Sequence, residues 1–317
     1  MAVLVAATLV TACGVTRDDG GTGLHRLRMM VPNSPGGGYD LTARTAVKIM
    51  ESTDITGRVE VFNVIGAGGT VAMARLMNER GNGDLMMTMG LGVVGATYTN
   101  GSKIKASDAT ALAKLIEDPG AVFVPADSPF KTIHDFVTAW KADPSKVTIG
   151  GGSSPGGPDH LFPMELAKAV GVDPKMVNFV TYDGGGDLLT ALLGKKITAG
   201  TSSPGELIDQ IEAGQLRVLA VSSDERVEGV DAPTLKESGI DLTFANWRGV
   251  LAPPGISDGS KQAMVKALEE LHDTQQWKEA LVKNGWTDAF VTGPEFEQFL
   301  KDQDNRVSST LTELGLL

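Results

Sequence analysis

Residues 27–44, LRMMVPNSPGGGYDLTAR, pass from a short apolar run through a proline and three consecutive glycines into an amphipathic pattern, with no Lys or Arg in the turn. Such a turn suits a small anion. Glycines let backbone N–H groups project at positions of positive φ or close approach, and the helix that follows adds its unpaired donors and positive dipole end. The candidate binding residues here are Ser34, Pro35, Gly36, Gly37, Gly38, Tyr39 and Asp40. A Walker loop would need Gly-Lys-Ser/Thr, and a dinucleotide fingerprint would need G-x-G-x-x-G with an acidic residue about 20 positions on. Neither follows.

The same grammar recurs three times. Residues 59–64 break at Gly66-Ala67-Gly68-Gly69, residues 147–149 lead into GGGSSPGGPDHL, and residues 177–180 lead into Tyr182-Asp183-Gly184-Gly185-Gly186-Asp187, each followed by a helical pattern. Four helix N-termini are therefore expected to meet at one cleft. They add Gly68, Gly69, Ser153, Ser154, Gly156, Gly157, Tyr182 and Gly184 as candidates, and the small hydroxylated run after Gly200 adds Thr201 and Ser202. Asp40, Asp159 and Asp187 sit at helix starts, where an Asp ordinarily caps. Asp40 is singled out for an orienting contact to the ligand. Tyr182 either walls the ligand or packs beneath its loop. Arg44, Arg75 and Arg248 lie near turns; any could supply a bidentate clamp, and solvation at the surface is the commoner fate.

Catalytic parts are missing. The four histidines, His25, His134, His160 and His272, do not pair at ligand spacing, and neither H-E-x-x-H nor G-x-S-x-G occurs. A Ser/His hydrolase would have to use Ser153 or Ser154 with His160 and Asp159, all on one loop. Local bonding of His160 to that loop is the simpler expectation. No catalytic residue, metal or cofactor is expected.

The elements that position these loops follow from length and pattern. At 317 residues, with 42% hydrophobic and 21% charged residues, the chain suits about two α/β domains. Strand-like runs at 27–31, 59–63, 85–89, 112–116, 121–124, 147–149, 177–180, 197–200, 217–221 and 242–251 alternate with helical patterns, as parallel βαβ units do. Residues 257–317 read as nearly all helical, with Leu268, Leu271, Trp277, Leu281, Phe296 and Leu300 as core. Ile133, Phe136, Val137 and Trp140 mark another buried helix face. The net charge of −11 disfavours nucleic acid and leaves local backbone dipoles to hold any anion. Extended apolar segments at 121–125 and 244–252 bracket a central block. They read as two crossovers between lobes, with the ligand between.

The only cysteine, Cys13, follows the apolar run 2–10 in VTACG. This is similar to a bacterial lipoprotein processing box, although a basic n-region is missing. Residues 1–23 are expected to be signal peptide and tether, with Cys13 as the lipid attachment.

Together, VPNSPGGGYDLTAR, FNVIGAGGT, SPFKTIHDFVTAWKADPSKVTIGGGSSPGGPDHL, NFVTYDGGGDLLTALLGKKITAG, IEAGQLRVLAVSSDER, APTLKESGI and NWRGVLAPPG resemble the tripartite tricarboxylate transporter substrate-binding proteins, the TctC or Bug family. The resemblance implies an α/β, two-lobed, type II periplasmic-binding-protein-like fold, with two parallel or mixed sheets and a double-crossover hinge. Its lobes would be 24–122 plus 247–317, and 123–246. It also implies an extracytoplasmic, monomeric receptor that delivers a small carboxylate to membrane permease subunits; a receptor presenting the acid to a sensor kinase is the alternative. Pro35, Gly36, Gly37 and Gly38, with Ser153, Ser154, Gly156 and Gly157, take the family's carboxylate-holding positions. Asn33-Ser34 and Thr181-Tyr182-Asp183 depart from the usual residues there.

Overall fold

The computed structural model describes residues 26–182 and 184–317. Cys13, the leader, His25 and Asp183 lie outside the described residues. In chain order the elements are β1 (Arg28–Val31), α1 (Gly38–Ser52), β2 (Glu60–Asn63), α2 (Thr70–Asn78), β3 (Leu85–Gly90), α3 (Leu91–Thr99), β4 (Thr110–Pro119) and β5 (Ala121–Pro125). Then come α4 (Ile133–Ala142), β6 (Thr148–Gly151), α5 (Pro158–Val170), β7 (Asn178–Thr181), α6 (Gly185–Leu193), β8 (Ala199–Ser202), α7 (Ile208–Glu212) and β9 (Leu216–Val221). The chain closes with β10 (Ala245–Ala252), α8 (Asp258–Asp273), α9 (Gln275–Asn284), β11 (Thr287–Thr292) and α10 (Gly293–Glu313).

Two sheets result. The first has the order β11-β4-β10-β3-β1-β2 and the second β7-β6-β8-β5-β9. The βαβ units give parallel pairs, β1 with β2 and β3, and β6 with β7 and β8. Strands β10, β4 and β11 of the first sheet, and β5 with β9 in the second, pair antiparallel, so both sheets are mixed. Helices cover the faces. All six residues of β3 are buried, as fits a strand covered on both sides.

The helical patterns resolve as their spacing dictates. In α1, Ala43, Ala46, Val47, Ile49 and Met50 fall on the buried face. In α4, Thr132 and Asp135 form a capping box, and Ile133, Phe136, Val137 and Trp140 are buried. The six core candidates after residue 257 are buried as well. The expectation of a nearly all-helical C-terminal segment is corrected by β11. Gly285, at φ +63°, ends α9, and the half-exposed sequence TDAFVT adds an edge strand to β4. A strand with only one covered face and so few apolar residues leaves a faint signal.

The chain passes between the sheets at Gly120 and returns before Ala245. Ser222 joins the two passages: its hydroxyl accepts the Gly120 N–H at 2.8 Å and donates to the Phe244 carbonyl at 2.5 Å. Backbone bonds from Ser222 to Gly120 and from Phe244 to Ser222 complete the connection. Among the described residues no helix is long and apolar enough to cross a membrane.

Candidate functional site

All four glycine-rich turns open on one cleft of about 820 Å³ between the sheets. At the first turn, positive φ is confined to Gly36, at +85°. Gly37 is extended at φ −76°, a conformation open to any residue; a Cβ there would lie 2.2 Å from Asn33 Nδ2. At Gly38 a Cβ would lie 2.3 Å from Arg248 Nη2. Close approach, more than backbone sign, therefore demands these glycines. The first helical bond of α1 runs from Leu41 N–H to the Gly37 carbonyl at 2.9 Å, and no side chain caps the helix. The amides of Gly38, Tyr39 and Asp40 precede that bond and have no intrahelical acceptor.

Asp40 serves the turn from behind. Its carboxylate accepts the Gly36 N–H at 2.9 Å, Arg44 Nε at 2.9 Å and Asn63 Nδ2 at 2.9 Å. Burial works to raise its pKa, but the hydrogen bonds from Arg44, Gly36 and Asn63 outweigh it and hold the carboxyl below the usual range. The expected ligand contact of Asp40 is thus corrected: its oxygens are engaged by the loop and it does not line the cleft. Arg44 is held in the same cluster, and Arg75 lies exposed over the Phe62 ring.

The other three turns differ in what they leave open. At α5, N1 is Pro158, the Asp159 N–H is taken by Ser153 Oγ at 3.0 Å, and the His160 N–H by the Gly157 carbonyl at 3.1 Å. Its donors are already engaged. At α6, Leu188 N–H bonds to the Gly184 carbonyl, so the Gly185 and Gly186 amides precede the first intrahelical bond, and among the described residues no side chain caps them where they line the cleft. Gly66, Ala67, Gly68 and Gly69, all at positive φ, form the third wall before α2. Among the described residues, the α1 and α6 N-termini, one from each side, present amides to the cleft without a capping side chain.

Every residue expected at the binding site lines the cleft except Asp40, Gly156 and Thr201. The Gly156 N–H goes to His160 Nδ1 at 3.0 Å, and Thr201 Oγ1 donates to the carbonyls of Asp159 and Gly150. His160 bonds its own loop, as expected. Burial depresses its pKa to about 4, and its ring packs 4.8 Å from that of Phe179. Ser153 and His160 are therefore each engaged with backbone. Tyr182 does both things left open for it: half-buried, it packs against Leu188 and its neighbours while lining the cleft. The Tyr39 hydroxyl accepts the Val93 N–H at 3.3 Å, and burial pushes its pKa up to about 12. The cleft sides touch where Thr99 Oγ1 donates to the Pro155 carbonyl at 3.2 Å and where Gly95 abuts Gly156.

The floor holds what sequence reasoning missed. Arg248 is not solvated at the surface; it is 2% exposed, with Nη2 2.7 Å from Asp118 Oδ2 and 3.5 Å from Glu206 Oε1. Burial raises the Asp118 pKa to about 6 despite Arg248, with Glu206 adding to the rise. Asp159 is raised well above its ordinary value by burial and then by Glu206 and Asp118. The available signal was a charge inside an apolar strand: Arg248 within ANWRGVLA and Asp118 at the end of TALAKLIEDP. Such charges are buried only with a partner.

Comparison with known proteins agrees with this architecture. Residues 43–316 match the sequence profile of the tripartite tricarboxylate transporter family receptor, TctC. A UPF0065 protein of Cupriavidus necator is 28% identical over 92% of this chain and 88% of its own length. Protein BugT of Bordetella pertussis is 25% identical over 91% and 89%. A TctC solute-binding protein from Polaromonas superposes with TM-score 0.70 at 26% identity, covering 91% of this chain and 98% of that one. MatC of Rhodopseudomonas palustris, with bound malate, superposes at TM-score 0.77 and 21% identity, covering 91% and 99%. With two mixed α/β sheets, glycine turns converging between them and a family profile spanning most of its length, the chain belongs to the TctC, or Bug, family of solute-binding receptors.

Proposed function

We propose that this protein captures a small organic carboxylate between its two sheets, outside the cytoplasm, and delivers it to the permease subunits of a tripartite tricarboxylate transporter. The observation that carries the reading is the pair of helix N-termini, α1 and α6, that no described side chain caps and that open into one cleft from opposite sides. Aligned peptide dipoles and free N–H groups favour an anion there even in a protein of net charge −11. The malate in MatC supports a carboxylate as the class. The lobes are 24–122 with 247–317, and 123–246, closing about the Ser222-linked passages. The receptor works as a monomer, tethered through a lipid on Cys13.

A thermal-shift screen over di- and tricarboxylates, hydroxy acids, amino acids and aromatic acids tests this. Ligand at about 100 times its Kd adds about 2.7 kcal/mol of stability. A clear rise in Tm with one chemical group of acids is expected, and no rise with any acid would overturn the proposal.

A further inference from the structure

A second cavity, of about 570 Å³, lies on the far side of the passages between the sheets. Pro119 and Phe244 line both it and the cleft, so the two spaces share the Ser222-linked passages as a wall. One side of the cavity comes from residues 222–228, after β9; the other comes from Trp247 of β10, the turn between α9 and β11, and α10. Its inner surface is aromatic and fixed. Trp247 meets Phe299 edge to face at 5.2 Å, and the Lys114 ammonium lies 4.4 Å from the centre of the Phe299 ring while pairing with Glu117. Trp286 adds a further ring to the lining.

The polar groups narrow the class of occupant. Gln303 lines the cavity at 9% exposure, and its side-chain amide has no hydrogen-bond partner among the described residues. Buried amides are ordinarily paired, and this one offers an N–H donor and a carbonyl acceptor side by side. The charged groups on the lining are engaged elsewhere: Arg226 pairs with Glu237, Arg306 with Glu165 and Asp224 with Lys236. Glu225 and Glu228 are exposed and negative. Among the described residues no lining cation is left unpaired, so a second carboxylate finds no partner here. A flat, uncharged ring bearing a carboxamide matches both the aromatic walls and the free amide.

We infer that this cavity is a second binding site, for an uncharged aromatic carboxamide, and that its occupant favours the closed cleft. Geometry sets the direction of the coupling. On the cleft side the walls touch where Thr99 Oγ1 reaches the Pro155 carbonyl, and on the cavity side a Cβ at Gly285 would lie 3.2 Å from Val227 Cγ1. Rotation about the shared passages that parts the first contact drives the cavity walls together, and an occupant resists it. The linkage is reciprocal, so the occupant also tightens acid binding. Binding at the second site is independent of the carboxylate-capture reading, and only the coupling rests on it.

Benzamide is the probe, with cyclohexanecarboxamide as the match that lacks a flat ring. In ¹H–¹⁵N spectra of the acid-free protein, benzamide should shift the Gln303 side-chain amide and the Trp247 and Trp286 indole signals saturably, leaving that of Trp140, buried on α4, in place. Cyclohexanecarboxamide should bind at least about threefold more weakly. Gln303→Leu should weaken benzamide at least about tenfold, the value of two hydrogen bonds. With benzamide saturating, calorimetry should show the best acid from the screen binding at least about fivefold tighter. An absent shift at those three side chains, benzamide binding unchanged by Gln303→Leu, equal binding of the two amides, or acid affinity that benzamide leaves unchanged or weakens would overturn the inference. If no acid binds with or without benzamide, the capture reading falls, and the signals of Gln303, Trp247 and Trp286 still decide the second site.

Discussion

Gly38→Ala isolates the junction between the α1 helix end and the buried ion pair. The new Cβ would lie 2.3 Å from Arg248 Nη2, 2.6 Å from its Cζ and 3.0 Å from Glu206 Oε1, well inside contact distance. An arginine at the surface would swing away. Arg248 is held by Asp118, and both side chains are almost wholly buried, so yielding means disturbing that pair. Loss of a partner from a buried pair costs about 3–5 kcal/mol, and alanine returns up to about 1 kcal/mol in helix propensity. The expected net loss is about 2–4 kcal/mol. The matched control is Gly36→Ala, where a Cβ meets nothing within 4 Å and only the φ of +85° is unfavourable, at about 1 kcal/mol. Denaturant unfolding of both variants gives the stabilities, and calorimetry with the best acid gives the affinities. Gly38→Ala should be the less stable of the two and bind at least about tenfold more weakly. Equal stability in the two variants, with wild-type affinity in Gly38→Ala, would refute the packing of Arg248 against the helix end.

Three further outcomes follow from named contacts. Asp40→Ala removes the acceptor for Gly36, Arg44 and Asn63 and should cost about 2–4 kcal/mol with weakened binding. Because the folded-state pKa of Asp40 is lowered, its contribution is present above the ordinary carboxyl value of 3.8 and disappears as pH falls below it, which acid titration of wild type and variant will show. Gly95→Ala places a Cβ 1.8 Å from the Gly156 carbonyl oxygen across the cleft, so small-angle scattering with ligand should give a larger radius of gyration than wild type. The His160 pKa is lowered from 6.5 to about 4, so the neutral ring favours the fold above 6.5 and stability is lost as pH falls from 6.5 toward 4. That loss, on the order of 3 kcal/mol, should be absent in His160→Gln by urea unfolding across this range.

Much of this was legible in the sequence because glycine runs and hydrophobic period are local signals. The strands leading into the four turns, the buried faces of α1 and α4, and the convergence of the loops all follow from short segments. Which helix ends remain open did not. GGGSSPGGPDHL looks as donor-rich as PNSPGGGYD, yet Pro158, Ser153 and His160 satisfy the first, whereas Asp40 turns away and leaves the second open. That outcome depends on rotamers, and on Asn63 reaching Asp40 from a different strand. The ionic floor was hidden for a similar reason. Asp118, Glu206 and Arg248 come from three separated segments, and only the pairing of β4 with β10 brings Arg248 to Asp118.

The central claim is that backbone amides at two helix ends hold the ligand carboxylate. The most direct measurement is the ¹H–¹⁵N spectrum of the protein titrated with the best acid, read at Gly38, Tyr39, Gly185 and Gly186. New charge-assisted hydrogen bonds should move these amide protons downfield together, on one binding isotherm, while the Asp159 amide, already bonded to Ser153, moves little. Saturation that leaves those four amides in place while the Arg248 guanidinium resonances shift would contradict backbone capture and assign the anion to the arginine.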